Sequence, residues 1–245
     1  MDLYSVVITS CGRFDLLRQT LTSLIPALAP RPEKILIVED SGNPQVHDNV
    51  GSFDADFEIL VNERNLGQIA SIDRAYSQLT TPLIFHCEDD WEFFRGGFIE
   101  PSARLLALYP DVSMVGLRSR DELNPLMRGV PSQRVEGIDF YFYEPKRHPE
   151  YFSYCFNPGL RRLADYKRIG PFARLGHEPD ISYFFKKAGF RMAALEAAAV
   201  RHIGWDRHVD DPHQPLRSRT LVQRLRKSLN KRIKRAARRF NSANS

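Results

Sequence analysis

Residues 81–94, TPLIFHCEDDWEFF, decide how this chain folds. The apolar run that ends at Cys87 predicts a buried β-strand. Three acidic residues, Glu88, Asp89 and Asp90, follow it directly. Adjacent carboxylates repel one another, and burying them costs free energy unless a positive group lies between them. The segment therefore predicts a buried strand whose carboxyl end holds a cation.

Strand and helix patterns alternate through the first hundred residues. Strand patterns occur in YSVVITSC (4–11), EKILIVED (33–40), DFEILVN (56–62) and the segment quoted above, and helical spacing occurs in RFDLLRQTLTSLIPAL (13–28) and NLGQIASIDRAYSQL (65–79). This alternation predicts an α/β fold with a mostly parallel, Rossmann-like sheet flanked by helices. Because ligands bind outside the carboxyl ends of the strands in such sheets, we expect Asp40 and the acidic triplet to lie at one site.

The rest of the chain continues these patterns but includes one long irregular segment. GGFIEPSARLLALYP (96–110) predicts a helix, VSMVGLR (112–118) a strand, and residues 163–195 a short helix, a turn, a second helix and a strand. Residues 119–150 are polar and contain prolines, and we expect a long loop there with one strand, GIDFYFYE (137–144). These patterns predict one domain over residues 1–215 and a tail over 216–245.

Positive charge is concentrated in the tail. Eleven of the 35 Lys and Arg residues lie between Arg217 and Arg239, where there is no acid, which leaves 24 basic residues against 30 acidic ones elsewhere. Leucine or isoleucine recurs every fourth residue at 221, 225, 229 and 233. A basic amphipathic helix is typical of contact with an anionic membrane surface, which we expect over residues 216–240. Docking on the body, a solvated tail and nucleic-acid binding are the alternatives, and the lack of interleaved aromatic residues disfavours nucleic acid.

Composition favours a cytoplasmic protein. No apolar run approaches the ~20 residues that span a bilayer, and MDLYSVVITS (1–10) lacks the basic start of a signal peptide. The three cysteines are scattered and odd in number, which gives neither a disulfide framework nor metal-ligand spacing. We therefore expect a reducing cytosol and, if the tail binds lipid, the inner face of the membrane.

The acidic triplet suggests a particular ligand. Hard carboxylate oxygens suit Mg²⁺ or Mn²⁺, and such an ion keeps open positions in which it binds substrate phosphates. A nucleoside diphosphate is the obvious partner, because its pyrophosphate carries the charge that the ion neutralises. The alternative is a solvated turn at the end of the strand, where acids favour a helix N-terminus.

Five segments of the chain form a recognisable series. They are VVITSCGRFDLLRQTLTSL (6–24), ILIVEDSG (35–42), NLGQIASIDRAY (65–76), LIFHCEDDWEF (83–93) and DYKRIGPFARLGHEPDISYFFKKAGFRM (165–192). In this order they resemble the family-two inverting glycosyltransferases with the GT-A fold, over about residues 3–205, and EDDWEF also resembles the family-thirteen N-acetylglucosaminyltransferases. The resemblance implies a nucleotide-binding half over about residues 1–117, an acceptor-binding half over about 118–215, and a basic helix at the C-terminus.

This resemblance implies a set of site residues. Those implied to bind the nucleotide sugar are Thr9, Ser10, Arg13, Asp40, Gln68, Glu88 and Asp89. Those implied to hold a divalent metal, Mn²⁺ or Mg²⁺, are Asp90, Glu88 and His202. In the first-strand loop the family usually shows Pro-Thr-Tyr-Asn-Arg, whereas here Thr9 replaces Pro, Cys11 replaces Tyr and Gly12 replaces Asn, so the identity of the base stays open.

The resemblance also implies a catalytic base. In the family a Glu-Asp motif precedes D-L-S-x-x-x-x-x-A-G, and counting back from Ala188 and Gly189 places the family's Asp on Glu178. We expect Glu178 to take the proton of the acceptor hydroxyl, with Asp180 as the alternative.

These implications predict a metal-dependent inverting glycosyltransferase of the hexosyltransferase type. It would move a sugar from a nucleotide diphosphate to a hydroxyl of a glycan or lipid-linked acceptor, in cell-surface polysaccharide synthesis. One alternative is a sugar-nucleotidyltransferase, but that class needs a glycine-rich phosphate loop after the first strand, and TSCGRFD (9–15) has one glycine. The others are a non-catalytic nucleotide-sugar-binding protein and a nucleic-acid-binding adaptor.

Overall fold

A nine-stranded sheet forms the centre of the computed structural model, which describes residues 3–127, 129–213, 228–230 and 232–238. The strands are β1 (Tyr4–Ser10), β2 (Lys34–Glu39), β3 (Phe57–Val61), β4 (Leu83–Glu88), β5 (Trp91–Phe93), β6 (Val112–Gly116), β7 (Gln133–Val135), β8 (Ile138–Phe142), β9 (Gly159–Arg162), β10 (Arg191–Leu195) and β11 (Val200–His202). The helices are α1 (Phe14–Leu24), α2 (Val46–Val50), α3 (Gln68–Tyr76), α4 (Ile99–Leu108), α5 (Leu163–Ile169) and α6 (Glu178–Lys187). The order across the sheet is β3-β2-β1-β4-β9-β6-β10-β8-β7, and β5 and β11 form a separate ribbon.

The first four strands of the sheet run parallel, as the alternating pattern predicts. β1 is buried along its whole length because helices cover both faces. Val6 and Ile8 belong to the core cluster that includes Leu17 of α1, whereas Val7 packs in the cluster that includes Ile72 of α3. A strand covered on both faces reads as a continuous apolar run, which is the pattern of residues 4–8.

β9 enters the sheet between β4 and β6 and runs antiparallel to both. The sequence patterns do not predict this strand, because Arg161 and Arg162 interrupt any apolar alternation. Gly159 is needed here, since a Cβ at this position would lie 2.4 Å from the carbonyl oxygen of Val115. β4 and β6, on the two sides of β9, therefore run in the same direction as each other, and β10 runs parallel to β6. The predicted mostly parallel α/β fold is confirmed.

The segment 119–150 contains more structure than the predicted loop with one strand. β8 forms as predicted, but β7 precedes it and pairs with it in an antiparallel hairpin. The two residues of the turn, Glu136 and Gly137, both have positive φ, of 49° and 83°, which suits a tight hairpin turn. β8 also pairs with β10, so the hairpin closes one edge of the sheet.

The tail contacts the body through its charges. Residues 228–230 and 232–238 are helical, whereas Leu221 and Leu225 lie outside the described residues. Arg238 pairs with Glu150 at 2.9 Å and also with Asp180 of α6. Leu229 and Ile233 are 58% and 60% exposed. The described part of the helix therefore contacts the body through basic side chains, while Leu229 and Ile233, the two described residues of the predicted apolar stripe, are exposed.

Candidate active site

A cleft of about 260 Å³ lies where β1, β2 and β4 end, and we call it the strand-end cleft. The site residues that the sequence places in it are Thr9, Ser10, Arg13, Asp40, Gln68, Glu88, Asp89, Asp90 and His202. Glu178 and Asp180 lie elsewhere. Residues from five separate segments thus meet at one site. Most of them follow the carboxyl ends of the parallel strands, as expected, and His202 comes from the β5–β11 ribbon.

Arg13 is the positive group between the carboxylates of the acidic triplet. Its guanidinium pairs with the fully buried carboxylate of Asp89 and lies 2.8 Å from Oδ2 of Asp90. Burial raises the pKa of Asp89 to about 6, although the charge of Arg13 opposes this rise. For Asp90, burial acts in the same direction, but the hydrogen bond from His202 and the charge of Arg13 outweigh it and leave the pKa below its usual value.

The β5–β11 ribbon brings His202 to Asp90. Trp91 pairs with His202 in the ribbon, and the backbone N–H of Ile203 donates to the carbonyl of Asp90 at 2.9 Å. Nε2 of His202 then lies 3.3 Å from Oδ2 of Asp90. Gly204 permits this approach, because a Cβ there would lie 2.6 Å from Cβ of Asp90. A residue more than a hundred positions away in sequence is thereby held beside the acidic triplet.

Asp90 and His202 each keep one atom available for a ligand. Oδ1 of Asp90 and Nδ1 of His202 are buried and have no hydrogen-bond partner among the described residues. A carboxylate oxygen with an imidazole nitrogen beside it suits Mn²⁺ or Mg²⁺. The described residues contain no cluster of three or more His, Cys, Asp and Glu side chains arranged for a metal. The pair therefore fits an ion that takes its other ligands from a substrate and from water.

Glu88 is held in place by neutral donors. The side-chain amide of Gln68 donates to Oε1 at 2.6 Å and the indole N–H of Trp91 donates to Oε2 at 3.0 Å. Burial and then the charge of Asp90 raise the pKa of Glu88 to about 7, against these two hydrogen bonds. Glu88 thus lies in the strand-end cleft close to its protonation midpoint near neutral pH.

Asp40 organises the loop that follows β3. Its carboxylate accepts hydrogen bonds from the side-chain amide of Asn62 at 2.6 Å, from the N–H of Leu66 at 2.7 Å and from the N–H of Gly67 at 2.8 Å. Sequence reasoning missed Asn62, which is fully buried, and Glu39, whose Oε1 accepts from two backbone N–H groups at the mouth of β1. The loops at this side of the strand-end cleft are therefore fixed by the carboxylates of Asp40 and Glu39, which accept hydrogen bonds from backbone N–H groups.

A strap of residues 204–213 covers part of the strand-end cleft, and its lining residues were also missed. Residues 208–211 line the cleft. Arg13 donates to the carbonyl of Arg207 at 2.8 Å, and Arg207 pairs with Asp15 on α1 at 2.9 Å. No periodic pattern marks this strap in the sequence, because a distant arginine holds it.

Glu178 lines a second cavity of about 200 Å³, which we call the Glu178 cavity. Four aromatic side chains line it, those of Tyr143, Tyr151, Phe152 and Tyr154, together with polar residues that include Arg118 and Asn157. The N–H of Phe156 donates to Oε2 of Glu178 at 3.1 Å. Burial raises the pKa of Glu178, while the Phe156 hydrogen bond and the charges of Arg161 and Arg118 oppose the rise. A carboxylate with a raised pKa, bound to a fixed backbone donor, is suited to accept a proton.

Asp180 lies two residues further along α6 and has a different environment. Oδ2 accepts from the backbone N–H of His177 at 3.2 Å, which caps the helix. Oδ1 pairs with Lys234 and Arg238 of the tail. Asp180 therefore joins the N-terminus of α6 to the tail and is not brought to either cavity.

The sequence and the fold were compared with known proteins. The family profile described as Glycosyl transferase family 2 matches residues 5–170, whereas no curated protein sequence matches the chain. In structure the chain is similar to GalNAc-T7 crystallised with UDP, GalNAc and Mn²⁺, with a TM-score of 0.60 and 13% identity over 82% of this chain and 44% of that one. It is also similar to the mannosyltransferase PcManGT from Pyrobaculum calidifontis in complex with GDP-Man and Mn²⁺, with a TM-score of 0.59 and 13% identity over 80% and 55% of the two chains.

A third similar structure is S. aureus TarS, with a TM-score of 0.56 and 15% identity over 81% of this chain and 36% of that one. The chain therefore spans roughly a third to a half of the length of these solved proteins, and the similarity to them concerns the fold. The family profile, in contrast, covers well over half of the chain. Together with the sheet described above, this match shows that the protein belongs to glycosyl transferase family 2 and has the GT-A fold.

Proposed function

We propose that this enzyme transfers a sugar from a nucleoside diphosphate to a hydroxyl acceptor, with inversion at the anomeric carbon. Asp90 and His202 would hold the divalent metal, and Glu178 would be the base. The observation that carries the proposal is that the Asp90–His202 pair, which suits a metal, lies near Glu178, which suits a base. Asp90 and His202 both line the strand-end cleft, and Oδ1 of Asp90 and Nδ1 of His202 have no hydrogen-bond partner among the described residues. Glu178 lies close enough that its charge, after burial and the charge of Asp90, also raises the pKa of Glu88.

The strand-end cleft would bind the donor. Its charged end, at Asp90 and His202, suits a diphosphate with its metal, and its other end, near Asp40 and Gln68, suits the nucleoside. A metal held there would act as a Lewis acid on the charge that the leaving diphosphate gathers. GalNAc-T7 was crystallised with UDP, and PcManGT with GDP-Man, which supports a nucleoside diphosphate without deciding the base.

Glu178 would remove the proton of the acceptor hydroxyl. A free alcohol is a poor nucleophile, and a carboxylate with a raised pKa can accept its proton as the new bond forms. The Phe156 N–H fixes one oxygen of Glu178, so the carboxylate is oriented before the acceptor arrives. One displacement with one base inverts the anomeric carbon and needs no covalent enzyme intermediate. Asp180, which we expected as the alternative base, is engaged by the helix cap and the tail.

The Glu178 cavity would receive the acceptor. Its aromatic walls suit the apolar faces of a sugar ring, and its position beside the strand-end cleft brings an acceptor hydroxyl to Glu178. A glycan or lipid-linked acceptor in cell-surface polysaccharide synthesis is the proposed class. The cytoplasm is the proposed compartment, in agreement with three free cysteine thiols.

The tail would bring the enzyme to an anionic membrane surface. No helix in the described part of the chain is long and apolar enough to cross a bilayer. Leu229 and Ile233 are exposed on a basic helix, which fits insertion at the level of the lipid headgroups. In a sedimentation test with the full chain, phosphatidylglycerol-containing vesicles should bind the wild type, and Leu229→Ser with Ile233→Ser should bind several-fold less. Leu126→Ser, an exposed apolar residue of the body, is the control, and equal loss in both variants would contradict this role.

Nucleotide binding is the experiment that tests the proposed function. UDP, GDP and dTDP are titrated by calorimetry with and without Mn²⁺, for the wild type and for Asp90→Asn. We expect one nucleotide to bind with Mn²⁺ and to lose at least tenfold in affinity without it or in Asp90→Asn. The sugar conjugates of that nucleotide are then tested for slow hydrolysis, which a non-catalytic binding protein would not show. Binding of no nucleotide, or equal binding without Mn²⁺ and in Asp90→Asn, would reject the proposal.

A further inference from the structure

Arg161 is a charged residue in the interior that the proposed reaction does not use. It lies on β9 in the middle of the sheet and is 2% exposed. Its contacts within the described ranges are to neutral groups, and its Nε has no hydrogen-bond partner there. Burying a guanidinium without a carboxylate beside it is costly, so a cation in this position calls for a reason beyond packing.

The guanidinium of Arg161 holds the backbone segment that binds Glu178. Nη1 donates to the hydroxyl of Tyr154 at 3.0 Å and to the carbonyl of Cys155 at 3.1 Å. Nη2 donates to the carbonyl of Asn157 at 3.0 Å. These two carbonyls flank Phe156, whose N–H donates to Glu178 at 3.1 Å. One buried side chain therefore fixes both sides of the peptide group that orients the carboxylate.

We propose that Arg161 is a positioning residue for Glu178, which it serves both by anchoring residues 155–157 and by placing an uncompensated positive charge behind the carboxylate. The inference rests on the proposed function, because it gives Glu178 the role of base. Arg161 lines neither the strand-end cleft nor the Glu178 cavity, and it acts through the backbone and through its electric field.

Among the described residues, Arg161 is the main cation near Glu178 that has no carboxylate partner of its own. The titratable and charged groups that line the Glu178 cavity or act on Glu178 come from five segments, and they are Glu88, Arg118, Glu122, Tyr143, Tyr151, Tyr154, Cys155 and Arg161. Arg118 is partly compensated, because its Nε lies 3.6 Å from a carboxylate oxygen of Glu122. His86, which also feels Arg161, is neutral, since burial and then the charge of Arg161 lower its pKa well below the usual range.

This arrangement matches what a buried base requires. Burial raises the pKa of Glu178 and so favours its protonated form, and a protonated carboxyl cannot accept a proton. A fixed cation favours the carboxylate form and counteracts burial. In the reaction, the O–H bond of the acceptor breaks and its proton goes to Glu178, while the acceptor oxygen bonds to the anomeric carbon and the bond from that carbon to the diphosphate oxygen breaks. Arg161 keeps Glu178 ready for that transfer without exchanging a proton itself.

The neighbouring arginine provides a matched control. Arg162 is also on β9, but it donates to the carbonyls of Val112 at 2.8 Å and Tyr109 at 3.0 Å and pairs with Asp165 at 2.9 Å. Its replacement removes a partly buried guanidinium from the same strand without changing the surroundings of Glu178. Arg161→Met and Arg162→Met should therefore both lower the melting temperature, and only Arg161→Met should alter the titration of Glu178.

The decisive measurement is the ¹³C titration of the Glu178 carboxyl in protein labelled at glutamate, with the resonance assigned from Glu178→Gln. We expect Arg161→Met to raise the pKa of Glu178 by about one pH unit or more, and Arg162→Met to leave it unchanged. In the donor hydrolysis assay, the acidic limb of kcat should move by the same amount. Activity below that limb should fall about tenfold for each pH unit and recover at higher pH.

Two further variants keep the test valid if Arg161→Met does not fold. Arg161→Gln retains amide donors for the carbonyls but lacks the charge, so it should raise the pKa of Glu178 as Arg161→Met does. Arg161→Lys retains the charge and should leave that pKa near the wild-type value. An unchanged titration in a folded, uncharged variant, or an equal change in Arg161→Lys, overturns the inference. If Glu178→Gln hydrolyses the donor at the wild-type rate, the proposed base is wrong, and the carboxyl titration still reports on Arg161 separately.

Discussion

The strand-end cleft and the Glu178 cavity treat their carboxylates differently. In the cleft, Arg13 contacts Asp89 and Asp90 directly, so charges are neutralised by ion pairs. In the Glu178 cavity, the carboxylate accepts a backbone N–H and feels Arg118 and Arg161 through their fields. Direct pairing gives a rigid array of charges suited to binding a metal and a diphosphate. An unpaired carboxylate with a raised pKa is suited to proton transfer, so each region has the electrostatics that its proposed step needs.

The largest effect should come from Glu178. Glu178→Gln keeps the shape of the side chain but cannot accept a proton, so kcat for donor hydrolysis should fall about a thousandfold. Nucleotide affinity should stay unchanged, because the strand-end cleft is intact. Asp180→Asn is the matched control on the same helix, and it should reduce kcat less than threefold while lowering the melting temperature. Comparable losses of kcat in the two variants would remove the distinction between the two regions.

Loss of a cation from the strand-end cleft should lower the free energy of unfolding more than loss of a charge from the Glu178 cavity. Arg13→Met leaves the buried carboxylate of Asp89 without its cation, and we expect a loss of about 3 kcal/mol in the free energy of unfolding at pH 8. The loss should be smaller at pH 5, because Asp89, with a pKa of about 6, can take a proton there. Urea denaturation at both pH values measures this difference.

The double variant Arg13→Met with Asp89→Asn provides the control for that prediction. It removes the charges of Arg13 and Asp89, while Asp90 keeps its contact with His202, and it should recover most of the stability at pH 8 that Arg13→Met loses. Lys34→Met, which breaks an exposed ion pair with Glu58, should cost well under 1 kcal/mol. If the double variant is no more stable than Arg13→Met, the cost does not come from the unpaired carboxylate.

The difference between the two regions also explains what the sequence could predict. The acidic triplet directly follows an apolar strand, and Asp40 ends another, so the strand-end cleft could be located from local patterns. The Glu178 cavity depends on β9. The arginines of this strand hide its pattern in the sequence, because their partners include backbone carbonyls as far as 56 residues away. The strap over the cleft is held by Arg13 from 194 residues away, and no local pattern can report such a contact.

The tail illustrates the same limit. Its sequence predicts a basic amphipathic helix that contacts an anionic membrane surface, with docking on the body as one alternative. In the structure, cations of its described part pair with Glu150 and Asp180, which are far away in sequence. An amphipathic pattern predicts a helix with two faces, but which face meets the body depends on the charges that the fold places opposite it.

A pH effect on stability should distinguish Glu88 from the paired acids of the cleft. Its pKa is raised to about 7, so between pH 4.5 and 7 the folded protein binds more protons than the unfolded chain. Stability from this group is therefore full at low pH and is lost as pH rises through that range. Glu88→Gln removes the loss, and Gln68 can turn its amide to keep a hydrogen bond. We expect Glu88→Gln to be about 2 kcal/mol more stable than the wild type at pH 8 and equal to it near pH 4.

Denaturation at several pH values checks this prediction. Glu58→Gln, at an exposed ion pair on the sheet edge, serves as the control and should give a difference that hardly changes with pH. A constant difference between wild type and Glu88→Gln from pH 4 to pH 8 would show that Glu88 titrates normally. In that case Glu88 would be ionised at neutral pH like a normal carboxylate, and its pKa would differ more clearly from the raised pKa of Glu178.

The smallest effect should come from the contact between the tail and α6. Arg238→Ala removes one cation from Glu150 and Asp180, but Arg235 still pairs with Glu150 at 2.9 Å and Lys234 with Asp180. Because neither acid is left alone, we expect a loss of only about 1 kcal/mol in the free energy of unfolding, and less in high salt. Arg232→Ala changes an exposed cation of the same helix and should cost less. Donor hydrolysis should stay within twofold of the wild type, since Glu178 is oriented by Phe156 and not by the tail; a larger loss would mean that the tail contributes to the position of the base.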